Sequence, residues 1–63
     1  RLSLEQIIAD SPPQQAKAAR IWLKSMDEGR TFRETCLEAE EDPNRAKANL
    51  HWVLRRARKE LNS

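Results

Sequence analysis

Residues 42–61 read DPNRAKANLHWVLRRARKEL, a stretch with the start signal and the periodicity of one long helix. Asp42 is a residue type that caps helix N-termini, and Pro43 suits the first helical position because no hydrogen bond is lost there. Neither glycine nor proline follows before the end of the chain. At about 100° per residue, one stripe of this helix is apolar and consists of Ala46, Leu50, Val53, Ala57 and Leu61.

Three earlier segments also carry helix start signals. Residues 3–6 (SLEQ) and 31–34 (TFRE) have the capping-box pattern, in which a hydroxyl accepts a hydrogen bond from the backbone N–H three residues later. Ser11, which precedes Pro12 and Pro13, predicts a serine N-cap followed by proline at the first helical position. Together with Asp42, these signals predict four helices joined by tight turns.

The ends of the two middle helices are also predicted. Gly29, the only glycine, suits the left-handed residue just past the end of helix two, which should run to about Glu28. Helix three should end near Glu41, directly before the next cap. Because no segment has the alternation of a strand, the predicted fold class is all-α: a small four-helix domain with a short N-terminal helix and a three-helix core.

The apolar stripes of these helices predict one small core. We expect Leu23, Leu50 and Val53 to be central to it, and helix one to cover an open end. Besides the stripe of the last helix, the expected members are Leu4, Ile7 and Ile8 of helix one, Ala16, Ala19, Trp22, Leu23 and Met26 of helix two, and Phe32, Cys36 and Ala39 of helix three. We expect residues 1–63 to form a single domain that is a piece of a longer protein.

Charge is divided unevenly along the chain. From Pro43 to Ser63 there are six basic residues and one acidic residue, a net charge of +5, whereas the first 42 residues carry a net charge of −3. Such asymmetry indicates an anionic partner near the last helix. On the side opposite its apolar stripe, one arc holds Arg45, Trp52, Arg55, Arg56 and Lys59, with His51, Arg58 and Lys47 on the flanks.

A basic helix face with an aromatic side chain suits nucleic acid, because Lys and Arg neutralise phosphates while an indole can stack on a base. Other interpretations stay open. The basic residues could be an ordinary solvated face, and Trp52 could belong to the core. The acidic residues in and after helix three could also pair with the bases of the last helix, which would make the charge division an internal matter. These acidic residues are Glu34, Glu38, Glu40, Glu41 and Asp42.

Two segments resemble the DNA-binding helices of bacterial sigma-factor region 4 and related response-regulator domains. Residues 29–34 (GRTFRE) and 54–61 (LRRARKEL) are similar to the opening and the close of that helix-turn-helix. The resemblance implies that helix three braces across the DNA backbone and that the last helix enters the major groove. The turn departs from the family, which carries a glycine and an apolar residue where this chain has residues 40–43 (EEDP).

The resemblance also implies which residues face the bases. They would lie in the first turns of the last helix, namely Asn44, Arg45, Lys47, Ala48 and His51. Asparagine can read an adenine edge, and arginine can read a guanine edge. Asn44 could equally serve ordinary helix-start chemistry beside the Asp42 cap.

The other reactive residue types argue against catalysis and metal binding. His51 is the only histidine and Cys36 the only cysteine, which is too few soft ligands for a zinc site. Cys36 lies on an apolar stripe, where a small buried hydrophobe is expected. A single glycine cannot form a phosphate-cradling loop. We therefore predict no enzyme activity, no metal or other cofactor, and no small-molecule substrate.

The sequence thus predicts a nucleic-acid-binding module, with DNA favoured, that acts in the regulation of transcription or replication. The alternative is a helical protein–protein interaction module of a larger protein, which would use a groove or its polarised charged surface. No apolar run approaches the roughly 20 residues that span a membrane. We expect a cytoplasmic or nuclear protein without a membrane partner.

Overall fold

A computed structural model describes residues 3–62 of the chain, and these residues form four helices. The helices are α1 (Leu4–Ala9), α2 (Pro13–Asp27), α3 (Phe32–Glu38) and α4 (Pro43–Leu61). No strand occurs within residues 3–62, so the predicted all-α class is confirmed. Helix α2 contacts each of the other three, α4 also contacts α1 and α3, and α1 and α3 do not touch. None of the described helices is long and apolar enough to cross a membrane.

Helices α1 and α4 begin with the predicted caps. The backbone N–H of Gln6 donates to the Ser3 hydroxyl at 3.2 Å, and the backbone N–H of Ser3 donates to the Gln6 side chain at 2.9 Å. At the start of α4, the backbone N–H of Asn44 donates to the Asp42 carboxylate at 3.1 Å, and Pro43 is the first helical residue. Each cap satisfies a donor that the helix itself leaves unpaired.

The prediction that Ser11 caps α2 is wrong. Helix α2 begins at Pro13 with Pro12 in the N-cap position, and no side chain caps it. The Ser11 hydroxyl instead donates to the Ile7 carbonyl at 2.7 Å, where it satisfies a carbonyl at the end of α1. A side-chain cap matters less at this start, because Pro12 and Pro13 have no N–H groups to satisfy.

Helix α3 begins as predicted but is shorter. The backbone N–H of Glu34 donates to the Thr31 hydroxyl at 3.0 Å, and that hydroxyl donates to the Glu34 carboxylate at 2.9 Å. The helix ends at Glu38 rather than near Glu41. The chain needs the following residues for a turn, since Pro43 disfavours helical conformation at the residue before it.

The turn after α3 places Glu40 in the left-handed region, with φ of 59°. The backbone N–H of Glu41 donates to the Cys36 carbonyl at 2.8 Å, and that of Glu40 donates to the Leu37 carbonyl at 3.1 Å. This is the Schellman arrangement. The same arrangement ends α2, where the left-handed residue is the predicted Gly29, with φ of 65°. Glu40 therefore occupies a conformation that favours glycine.

The core contains Leu50 and Val53 as predicted, with 6% and 0% of their surface exposed. Leu23 is only half-buried and packs against the core from its edge. The buried residues of the main cluster are Ile8, Ala16, Ala18, Ala19, Ile21, Cys36, Ala46, Leu50 and Val53.

Two residues that were predicted as core members are exposed. Met26 of α2 is 55% exposed, whereas Ala18 and Ile21 of α2 are buried. The buried residues of α2, which packs against α1, α3 and α4, thus cover a broader arc than the single stripe that the sequence suggested. Ala39 is exposed because α3 ends before it, and Thr35 is buried on α3 instead, with its hydroxyl donating to the Thr31 carbonyl at 3.0 Å.

The left-handed conformation of Glu40 leads to a stability prediction. We expect Glu40→Gly to raise the free energy of unfolding by about 1 kcal/mol, because glycine adopts this conformation without the strain of a Cβ atom. Denaturant unfolding followed by circular dichroism measures the change. Glu40→Gln is the control, since it removes the same charge but keeps the Cβ atom. A glycine variant no more stable than the glutamine variant would contradict the strain argument.

Candidate nucleic-acid interface

Helix α4 has one buried face and one broad exposed side. It contains 19 residues, which corresponds to a length of about 29 Å. Ala46, Leu50, Val53 and Ala57 are buried, as the predicted stripe requires, and Leu61 is half-buried at its end. The packing of this stripe in the core determines which side chains of α4 face solvent.

The predicted binding residues share the exposed side of this helix. Those that are exposed are Asn44, Arg45, Lys47, His51, Trp52, Arg55, Arg58 and Lys59. Arg56 differs, since it is half-buried and its Nε atom lies 3.1 Å from Oε1 of Glu60, one turn later. The set extends along most of α4, with Asn44 near its start and Lys59 in its last turn.

Trp52 is exposed among these basic residues. Its surface is 45% accessible, whereas Trp22 of α2 is half-buried and packs against the core. The interpretation that Trp52 belongs to the core is therefore wrong. Arg55 and Lys59 follow it at positions +3 and +7, on the same side of the helix. An exposed indole so placed can stack on a planar partner while the neighbouring cations hold an anion.

Two of the acidic residues around α3, Glu38 and Glu41, pair with cations outside α4. Lys17 of α2 forms an ion pair with Glu41, and Nζ of Lys24 lies 3.9 Å from Oε1 of Glu38. Nη1 of Arg30, in the turn before α3, lies 2.6 Å from Oε2 of Glu38. Within residues 3–62, no ion pair joins a basic residue of α4 to any of the five acidic residues named above, so the alternative in which they pair with the last helix is wrong.

Within residues 3–62, five basic residues of α4 have no acidic partner. Among residues 3–62, the only ion pair on this helix joins Arg56 to Glu60. The bases without a pair in that part of the chain are Arg45, Lys47, Arg55, Arg58 and Lys59. Exposed ion pairs are worth roughly 0–1 kcal/mol each. The pairs around α3 therefore contribute little to stability, and their main effect is on where the negative charge lies.

The first turn of α4 combines cap chemistry with accessible polar groups. The backbone N–H of Asn44 takes part in the Asp42 cap, while the Asn44 side chain is exposed. Arg45 borders a wide surface depression together with Asn49, with Glu41 of the preceding turn and, from α2, with Gln14 and Gln15. Sequence reasoning missed these three amides, because only the packing of α2 on α4 brings them together.

Cys36 and His51 lie in different environments. Cys36 is fully buried, and burial, with smaller contributions from Glu41 and Asp42, raises the pKa of its thiol above the ordinary value. The expected small buried hydrophobe is therefore present. His51 is exposed on α4. Within residues 3–62, no three His, Cys, Asp or Glu side chains lie close enough together to hold a metal ion.

The pairing of Arg30 with Glu38 leads to a pH prediction. The hydrogen bond from Arg30, followed by its charge and that of Lys24, lowers the pKa of the Glu38 carboxyl. The pair therefore stabilises the fold at pH values where Glu38 is ionised, and this contribution is lost as the pH falls through the lowered pKa. In an NMR titration, Arg30→Gln should raise the midpoint of Glu38 toward that of an unpaired glutamate. An unchanged midpoint would contradict the pairing.

No protein-family model, curated protein or solved structure matches this chain. The likeness to helix-turn-helix proteins therefore stays a hypothesis that rests on residues 29–34 and 54–61 alone. What the chain does has to be argued from its own surface, and the exposed basic side of α4 is the feature with the clearest chemistry.

Proposed function

We propose that this chain is a nucleic-acid-binding module that binds DNA through the exposed side of α4. The observation that supports the proposal most strongly is the separation of charge. The carboxylates of Glu38 and Glu41 are engaged by α2 and by the turn before α3, whereas five bases of α4 have no acidic partner within residues 3–62. An anionic surface would supply those partners, and DNA carries one negative charge per about 1.7 Å of its length.

The shape of the interface supports a duplex partner. An α-helix fits the major groove, and α4 is long enough to place its first turns at the base edges and its later turns at the phosphates. Residues 39–42 connect α3 to α4, and a short turn of 3–4 residues is typical of a helix-turn-helix. Glu40 has a left-handed backbone in that turn, which in the resembled family carries glycine. In this arrangement Asn44, Arg45 and Lys47 would read bases.

Trp52 and the basic residues in the later turns of α4 would contact the DNA backbone. Arg55, Arg58 and Lys59 would contact phosphates, with Trp52 against a sugar or base. Arg56 would act mainly within the protein, as the ion-pair partner of Glu60. Such a module binds rather than catalyses, and a role in the regulation of transcription or replication would place it in the cytoplasm or the nucleus.

A second candidate function is protein–protein interaction. A groove of about 370 Å³ lies between α2 and α3, and its lining is predominantly apolar. Ile21, Thr35 and Ala39 line it together with three basic side chains of α2: Lys17, Arg20 and Lys24. Two of those cations already pair with acidic residues of the same domain. The groove therefore has fewer unpaired positive charges than the exposed side of α4, and we rank protein–protein interaction second.

A salt titration with matched variants tests the DNA proposal. The parent should bind a mixed-sequence duplex in fluorescence anisotropy, with log affinity falling linearly as log salt rises. Arg55→Ala combined with Lys59→Ala should weaken binding and flatten the slope by about two units, because two phosphate contacts are lost. The control combines Arg20→Ala with Arg33→Ala, which removes two exposed bases from α2 and α3.

The control should retain the slope and most of the affinity of the parent. Equal losses in the two double variants would mean that net charge, not α4, determines binding. If the parent does not bind even at low salt, the DNA proposal fails. A protein partner in the groove between α2 and α3 would instead show a much shallower salt dependence.

A further inference from the structure

One strip of α4 combines three cationic or protonatable side chains with a surface depression. His51, Leu54, Arg55 and Arg58 occupy positions that are neighbours on a helix surface, three or four residues apart. They line a depression of about 310 Å³, and they are the lining residues within the described part of the chain. The sequence pattern predicts that His51, Arg55 and Arg58 bind nucleic acid, but it indicates no role for Leu54.

These side chains have no competing acid. Within residues 3–62, no carboxylate forms an ion pair with Arg55, Arg58 or His51. The acidic residue of α4 is Glu60, and it pairs with Arg56. At about 100° per residue, Glu60 is on a different side of the helix from His51 and Arg58. The described lining of the depression therefore presents several hydrogen-bond donors and no negative charge.

The chemistry of the lining selects a phosphate group. Each guanidinium presents a planar fork of N–H donors that matches two phosphate oxygens, whereas a lysine acts as a single point charge. Two such forks one turn apart, with an imidazole beside them, can surround one phosphate. Leu54 is half-buried between them and offers an apolar wall, against which a sugar ring can pack.

We infer that His51, Leu54, Arg55 and Arg58 form one discrete site that binds a single phosphodiester group of the DNA backbone, with its deoxyribose against Leu54. This inference rests on the proposed DNA binding and deepens it. This site then fixes the position of the DNA backbone along α4.

Single-charge variants test the inference. Arg58→Gln and Arg20→Gln each remove one exposed positive charge, the first from α4 and the second from α2. If the site is discrete, Arg58→Gln should weaken duplex binding by about tenfold, as expected for a lost charge-assisted pair of hydrogen bonds. Arg20→Gln should weaken it markedly less. Arg58→Lys keeps the charge but loses the fork, and should behave more like Arg58→Gln than like the parent.

A second measurement locates the site without relying on variants. Titration with inorganic phosphate should produce saturable NMR shifts concentrated at residues 51–58, and a mixed-sequence duplex should move the same signals. Equal losses in Arg58→Gln and Arg20→Gln, or phosphate shifts spread evenly along α4, would overturn the discrete site while leaving DNA binding intact. Localised phosphate shifts in a parent that binds no duplex would instead overturn both the phosphodiester assignment and the proposed function.

Discussion

Helix α2 packs against all three other helices, and this packing determines which surface of each helix stays exposed to solvent. Its alanines make this possible: Ala16, Ala18 and Ala19 are all buried, and small side chains allow several helices to approach closely. The exposed residues of α2 include Lys17, Arg20 and Lys24. The cations of α2 therefore lie beside α3, where Glu38 and Glu41 meet two of them.

Helix α4 contrasts with α2, because only one of its faces is buried. Ala46, Leu50, Val53 and Ala57 form that face, and the rest of the helix is accessible or at most half-buried. The same packing thus pairs Glu38 and Glu41 with cations of α2 and leaves most basic side chains of α4 exposed to solvent. Polarised charge on a protein surface raises the rate at which an oppositely charged partner is captured. The fold turns a modest net charge of +2 into such a polarised surface.

The features that could be predicted from the sequence are those set by local chemistry. The caps at Ser3, Thr31 and Asp42, the left-handed Gly29 and the buried stripe of α4 each depend on a few neighbouring residues. The features that could not be predicted depend on tertiary packing. The broad buried arc of α2 depends on how the other helices pack on it, and the Lys17–Glu41 ion pair joins α2 to the turn between α3 and α4. The sequence likewise could not determine whether Trp52 is exposed, since a neighbouring helix could have covered it.

The central claim is that the exposed side of α4, and not the groove between α2 and α3, receives the partner. The most direct test is an NMR titration of the parent with a mixed-sequence duplex, in which the two indole N–H signals serve as internal reporters. Trp52 is exposed on α4, and Trp22 is half-buried on α2. The account predicts that the Trp52 indole and the backbone signals of residues 44–59 shift, while the Trp22 indole stays in place. Shifts concentrated at Arg20, Ile21 and Thr35, with the Trp52 indole unmoved, would contradict it.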